Sequence, residues 1–313
     1  MFDKKFHSNG KLLLTGEYVV LDGATALAIP TKFGQSLEIG LSKKKGVHWK
    51  SFDEKGEVWF SEFFELESFK PSNPANNHSK TLSKILGEAK KLNPDFLTEN
   101  EGLKIQTRLD FPRNWGLGTS STLINNISDW AKVNAFKLLE NSFGGSGYDI
   151  AAAQTDFPIL YELKNEQPKT TKAELLWNFT NSMFFVHLNK KQDSKEGIAR
   201  YKKMQADNET ITRISNISKN LLNCASLSDF EELMDLHEKV ISKTIQLPTI
   251  KNRFFSDYPH SIKSLGAWGG DFILATGSEI NMEYFKRKGF GTIVPFDAMV
   301  RRTPRPYNNL QSV

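Results

Sequence analysis

Cysteine is almost missing from this chain: one residue, Cys224, in 313. A lone thiol excludes an intrachain disulfide and a cysteine-built zinc site, and it fits a reducing cytosol, so a cytoplasmic location is expected. Long apolar runs are missing too. None approaches the ~18–20 residues needed to span a bilayer, and no membrane partner is expected. The opening MFDKKFHSNGKLLL carries an acid and only a short apolar run, which does not read as a signal peptide. Charge of one sign is scarce: 41 Lys and Arg stand against 36 Asp and Glu, for a net charge of +5. That balance suits an anionic ligand and is too mild to argue for nucleic acid, the densest basic run being Lys43–Lys45. There is no internal repeat and no long low-complexity segment. What is present, 39% hydrophobic and 25% charged residues, is ordinary for a globular protein of one large or two medium domains.

The chain is organised around Phe111–Leu123, FPRNWGLGTSSTL. Before it, residues 102–110 alternate apolar and polar, with Leu103, Ile105, Thr107 and Leu109 on one face of a half-buried strand. Pro112 stops ladder pairing. Gly116 and Gly118 permit positive φ, and Thr119, Ser120 and Ser121 can cap the helix that follows. Apolar residues from Leu123 through Leu138 and Leu139 recur at helical spacing, predicting one helix to about Leu139. A helix N-terminus at a glycine loop favours phosphate through its dipole and its free N–H groups. The loop has neither the Gly-Lys-Ser/Thr ending of a Walker loop nor the third glycine of a dinucleotide fingerprint, so alone it also reads as an ordinary strand-to-helix turn.

Two further glycine-bearing stretches flank it. In KLLLTGEYVVLDGATALAIP, Leu12–Leu14 and Tyr18–Leu21 read as strands around Gly16, a turn at Gly23 leads into a buried strand, and Lys11 and Glu17 are the ionisable groups that border them, in isolation solvated edge charges. In NSFGGSGYDIAAAQ, Asp149 stands between a glycine turn and a small-residue helix, either held close to a ligand or simply capping that helix.

Elsewhere, residues 46–64 predict a hairpin around residues 53–56, and residues 78–92 an amphipathic helix. Residues 158–163 and 174–188 read as strands, with the polar NEQPKTT between them as a domain connection. Residues 195–246 read as helical with breaks near Asp207 and Ser226, and Ser228 with Glu231 offers a capping box. KSLGAWGGDFILAT is a second glycine loop leading to a strand, followed by a helix (280–288) and a last strand (292–296). Strands and helices segregate, so the class is α+β.

Taken together and in this order, the glycine segments resemble the GHMP family of small-molecule kinases, named for galactokinase, homoserine, mevalonate and phosphomevalonate kinases. SNGKLLLTGEYVVLDG is similar to the family's first motif, with Asn9 where proline is usual. PRNWGLGTSS is similar to the phosphate-binding motif that usually ends GLGSSA, with Thr119 and Ser121 as departures. GSGYDIAAA resembles the segment of the catalytic aspartate, and LGAWGGD the third motif, with Trp268 where glycine is usual. The resemblance implies two domains: an ATP-binding domain like the second domain of ribosomal protein S5 (residues 1–168), and a ferredoxin-like domain (169–313), the last strand staying there or returning to the first.

The resemblance also implies a chemistry. Gly116, Leu117, Gly118, Thr119, Ser120 and Ser121 would wrap the ATP phosphates. Ser120 would offer its hydroxyl to Mg²⁺, with Glu140 as the nearest carboxylate ligand. Asp149 would take the proton of the substrate hydroxyl, and Lys11 would keep it ionised and steady the developing charge. Gly266, Ala267, Gly269 and Gly270 would close over the phosphates or acceptor. The form of the first and third motifs is most similar to the mevalonate and phosphomevalonate branch, an acidic acceptor that Glu17, Arg113 and Lys263 would meet, with Lys5 and Lys32 as further cations. The expected partners are ATP and a small acceptor, with no nucleic acid, in a monomer or homodimer. Homoserine or sugar kinases, an RNA-binding module and a non-catalytic family member are the alternatives.

Overall fold

The computed structural model describes residues 2–98, 102–190, 194–268 and 270–303. β1 (Lys4–Leu13) leads through a short 3-10 turn (Val19–Asp22) to the long β2 (Ala26–Ser42), then β3 (Val47–Phe52), β4 (Val58–Phe64), α1 (Asn77–Leu92) and β5 (Gly102–Leu109). Next come α2 (Thr119–Ala131), α3 (Ala135–Ser142), α4 (Tyr148–Ala153), β6 (Ile159–Lys164) and β7 (Gln167–Lys172). The rest of the chain gives β8 (Met183–His187), α5 (Ser194–Tyr201), α6 (Asn208–Leu221), α7 (Leu227–Ile245) and α8 (Ile250–Phe254). It ends in β9 (Ile262–Ser264), β10 (Phe272–Thr276), α9 (Glu279–Arg287), β11 (Ile293–Pro295) and α10 (Phe296–Met299).

These strands form two sheets. The first has the order β4-β3-β5-β2-β6-β7, with β1 also on β2. The 17 residues of β2 serve three partners: its start pairs β6, its later half pairs β5, and β1 runs antiparallel along it. The second sheet has the order β11-β8-β10-β9, every neighbour antiparallel. Helices α5–α8 lie between β8 and β9 in sequence and α9 between β10 and β11, which is the split βαβ pattern of ferredoxin-like sheets. β11 therefore stays in the second sheet, while Val300 beyond it bridges back to Thr31.

Alternation explains why β8 and β10 are buried throughout. Phe184, Val186, Ile273 and Ala275 face α8 and α9, whereas Phe185, Phe272 and Leu274 face a core that also holds Leu12, Leu14, Leu109 and Leu117 from the first half. The two sheets thus share one apolar core, and Leu117 of the glycine loop is part of it.

Several local expectations change. The helix does not run to Leu139: Lys132 adopts a left-handed φ of 54° and ends α2, and the Asn134 side chain caps α3. Tyr18–Leu21 is no strand, because Tyr18 has φ 66° and the next residues coil into the 3-10 turn. Residues 167–172 pair with β6 as an exposed edge strand, so the expected connection is a hairpin turning at Asn165 and Glu166. Within 174–188 only β8 is a strand. The capping box on α7 is made by Ser226 and Asp229, two residues before the expected pair.

Candidate active site

The glycine loop is docked onto β1 by a bulge. The register with β2 shifts between Asn9 and Lys11, so Gly10 lies against Thr31 and the Leu117 carbonyl, where a side chain would not fit. The Lys11 N–H donates to that carbonyl at 2.9 Å. Asn9 ties the same bulge to the end of α4, its amide donating to the Thr155 carbonyl (2.8 Å) and to Asp156 (3.0 Å). The departure from proline thus supplies a side-chain tether.

The bulge aims Lys11 beneath the loop. Its Nζ donates to the Gly116 carbonyl at 3.3 Å and lies 5.7 Å from the centre of the Tyr148 ring. Burial works to lower the pKa of the amine, but Tyr148, Asp149 and Asp271 outweigh it and the pKa rises. Asp149 sits in the first turn of α4, whose N-cap is Gly147, so it is not the cap. Burial raises its pKa, opposed by Lys11 and by the Ile150 N–H, which donates to Oδ1 at 3.1 Å. An acid that is partly desolvated yet within the field of a cation is a common preparation for proton abstraction.

The loop itself presents an open helix end. Gly118, with φ 90°, is the N-cap of α2 and no side chain caps that end. The hydroxyls of the next residues divide by exposure. Ser120 is exposed, whereas Ser121 is buried and donates to the Gly118 carbonyl at 2.8 Å. Asn114 and Trp115 hold the loop to the second sheet. The Asn114 carbonyl lies 3.0 Å from His187 Nε2, and Trp115 meets Phe33 and Phe272 edge-on.

Gly266 and Ala267 of the third loop are half-buried, Gly270 is buried, and Gly269 lies outside the described residues. Trp268 is buried with φ 56°, a left-handed backbone that explains why glycine suits the position; its ring fills the shared core. Asp271 at the end of this loop reaches Lys11 and Gly116 and was not among the expected site residues. The terminal aspartate of LGAWGGD was the available signal. Tyr148, adjacent to Asp149, was missed as well.

The acceptor and metal candidates do not gather there. Glu17 and Lys263 are both 1% exposed and pair at 2.5 Å. Lys263 also meets Glu238 at 3.2 Å and donates to the Ser264 carbonyl. Burial, only partly offset by Lys263, pushes Glu17 up to about 7. His237 lies 3.5 Å from Glu17 and accepts the Gly16 N–H at Nε2; burial and Lys263 hold its pKa well below the usual value, so the ring is neutral. Lys263 is therefore a partner in a buried ion cluster instead of an open acceptor cation. Arg113 is exposed, its guanidinium 3.8 Å above the Trp59 ring. Lys5 pairs with Glu38, and Lys32 donates to the Asp297 carbonyl.

Glu140 does not fit the metal role. It is exposed on α3, paired with Lys137 at 2.8 Å, and the residues after it are tied to α1 through Asn141–Glu88 and Lys84–Ser142 contacts. Among the described residues no cluster of three His, Cys, Asp or Glu side chains could hold a metal ion. Of the expected Mg²⁺ pair, Ser120 alone opens to the loop.

No family model and no curated protein matches this sequence. Solved structures do. A Methanococcus jannaschii mevalonate kinase superposes with a TM-score of 0.70 at 17% identity, over 96% of this chain and 98% of that one. A Streptococcus pneumoniae phosphomevalonate kinase, solved with phosphomevalonate and AMPPNP, gives 0.66 at 15% identity, over 91% and 96%. A Lactococcus lactis galactokinase bound to galactose gives 0.65 at 14%, over 95% of each chain. With both sheets, the docked glycine loop and near-complete mutual coverage, this chain has the two-domain α+β fold of the GHMP kinases.

Proposed function

We propose that the chain is an ATP-dependent phosphotransferase acting on a hydroxyl of a small metabolite, with the first sheet as its ATP-binding domain, which extends past the expected residue 168 to Lys172 at the end of β7. The observation that carries this reading is one constellation: an uncapped helix end at Gly118, Lys11 bonded to the loop at Gly116, and the half-buried acid Asp149 beside that lysine. Phosphoryl transfer needs cradled phosphates, charge stabilisation and a placed nucleophile, and little else from the protein. The backbone N–H groups at the start of α2 would receive the phosphates. Asp149 takes the acceptor's hydroxyl proton, and Lys11 holds Asp149 ionised until it does and then steadies charge on the transferring group. A magnesium ion arriving with the nucleotide would neutralise phosphate charge, and the exposed Ser120 hydroxyl would be the side chain to meet it.

For the acceptor we infer mevalonate or phosphomevalonate as first candidates, on the form of the first and third motifs. A neutral, sugar-like acceptor is the second reading, favoured by the engagement of Lys5, Lys32, Arg113 and Lys263 elsewhere. A coupled ADP-release screen over mevalonate, phosphomevalonate, homoserine and sugars tests both. Turnover with one of the two acids supports the first reading, and turnover only with a neutral sugar replaces it with the second. No ADP release with any acceptor, from a folded protein that binds nucleotide, refutes the phosphotransferase reading for this acceptor class.

A further inference from the structure

Asp271 lies just before β10 at the end of the third glycine loop. Its φ of 54° is left-handed, and both of its backbone groups are anchored. The N–H donates to the Lys190 carbonyl at 2.6 Å, and the carbonyl accepts the Leu188 N–H at 2.7 Å. Such a backbone in a non-glycine residue persists where its surroundings fix it, so the carboxylate is carried on a rigid stem. That carboxylate lies against Gly116: a Cβ at Gly116 would collide with it. The carbonyl of the same Gly116 accepts from Lys11 Nζ.

Four groups face the Lys11 ammonium: Tyr148 and Asp149 from α4, Gly116 from the phosphate loop, and Asp271 from the turn just before β10. A lysine is a compact charge on a flexible stem, and it goes where the field takes it. With Asp149 as the only acid nearby, it would settle on the base. A second acid, held by the second sheet on the loop side, keeps it between the base and the phosphates.

We propose that Asp271 is a positioning residue for Lys11, acting across the two halves of the molecule to hold the ammonium at the phosphate loop. Its kinetic consequence rests on the phosphotransferase reading; its effect on Lys11 does not. A negative charge beside a phosphate loop also works against nucleotide binding, which gives the proposal a distinctive signature. Removing the charge misplaces Lys11 and slows transfer while leaving nucleotide affinity equal or higher. Damage to the loop would lower both.

The test uses the full chain with carbon-13 at lysine Cε, the Lys11 signal being the one lost in Lys11→Arg. Wild type is titrated beside Asp271→Asn, Asp271→Gly and Asp271→Glu; asparagine and glycine both tolerate a left-handed backbone, so the fold is retained. Lys11 is expected to lose its proton at lower pH in the Asn and Gly variants, with Glu restoring most of the wild-type behaviour. Calorimetry with a non-hydrolysable ATP analogue should show equal or tighter binding in the Asn variant, and kcat on a working acceptor should fall on the order of 10²-fold. An unchanged Lys11 titration in folded Asn or Gly variants overturns the proposal. A shifted titration in a chain that transfers no phosphate supports it and counts against the phosphotransferase reading alone.

Discussion

Replacing Lys263 with methionine leaves Glu17 and Glu238 buried around a neutral side chain. In the native protein the ammonium lies 2.5 Å from one carboxylate and 3.2 Å from the other, with all three side chains at most 4% exposed. Removing one partner of a buried ion pair costs about 3–5 kcal/mol, because the remaining charge has neither water nor a counter-ion. Proton uptake limits that loss. Glu17 already titrates at about 7 against an ordinary value of 4.5, and without Lys263 its pKa rises further. A raised folded value means the native state holds the proton more tightly than the unfolded chain. Glu17 therefore favours folding fully below pH ~4.5, and that contribution, about 3 kcal/mol, is lost as pH climbs through about 7. Urea unfolding followed by circular dichroism, below and above this window, reads both effects. Lys263→Met should be several kcal/mol less stable than wild type above the window and recover in part below it, while Glu17→Gln should flatten the slope inside it. A Lys263→Met protein as stable as wild type at both pH values refutes the buried cluster. If its acceptor KM then also rises, Lys263 returns to acceptor binding.

Other expectations follow from the same geometry. Glu140→Gln should leave the magnesium dependence of turnover unchanged, since the carboxylate is engaged with Lys137 at the surface; a raised metal requirement would put Glu140 back at the site. Ser120→Ala should slow turnover without changing stability, whereas Ser121→Ala should lose about 1 kcal/mol of stability with its hydrogen bond to Gly118 and keep its nucleotide KM. Trp268→Gly restores the residue usual in the family and relieves the left-handed backbone, worth roughly 1–3 kcal/mol. It also empties a core position whose loss costs about 3–5 kcal/mol, so chemical denaturation should show net destabilisation.

Local chemistry was legible in the sequence where it acts within a few residues. The alternation of residues 102–110 gave β5, the 46–64 hairpin turns at Gly56, and Asp207 and Ser226 end helical breaks as caps. Periodicity failed where two helices share one face: Ala131 and Ala135 are both buried, so the apolar spacing runs on across the break that Asn134 caps. β7 carried no signal because an exposed edge strand has no apolar face to alternate. Motif order singled out the loop, Lys11 and Asp149, which the fold brings near one another. Glu17 and Lys263 were singled out too, but their pairing was not legible, since they are 246 residues apart and nothing local reveals that two charges meet in the core. His237 and Glu238 complete that cluster from α7, and neither was singled out from the sequence.

In the proposed function Asp149 is the base for transfer from a nucleotide held at Gly116–Ser121. The most direct measurement is transfer of labelled γ-phosphate from ATP to the acceptor found in the ADP-release screen, by wild type and by Asp149→Asn, with nucleotide affinity and thermal stability read on the same samples. If Asp149 is the base, kcat falls ~10²–10⁴-fold, with nucleotide affinity and melting temperature close to wild type. An Asp149→Asn protein that turns over at close to the wild-type rate contradicts it.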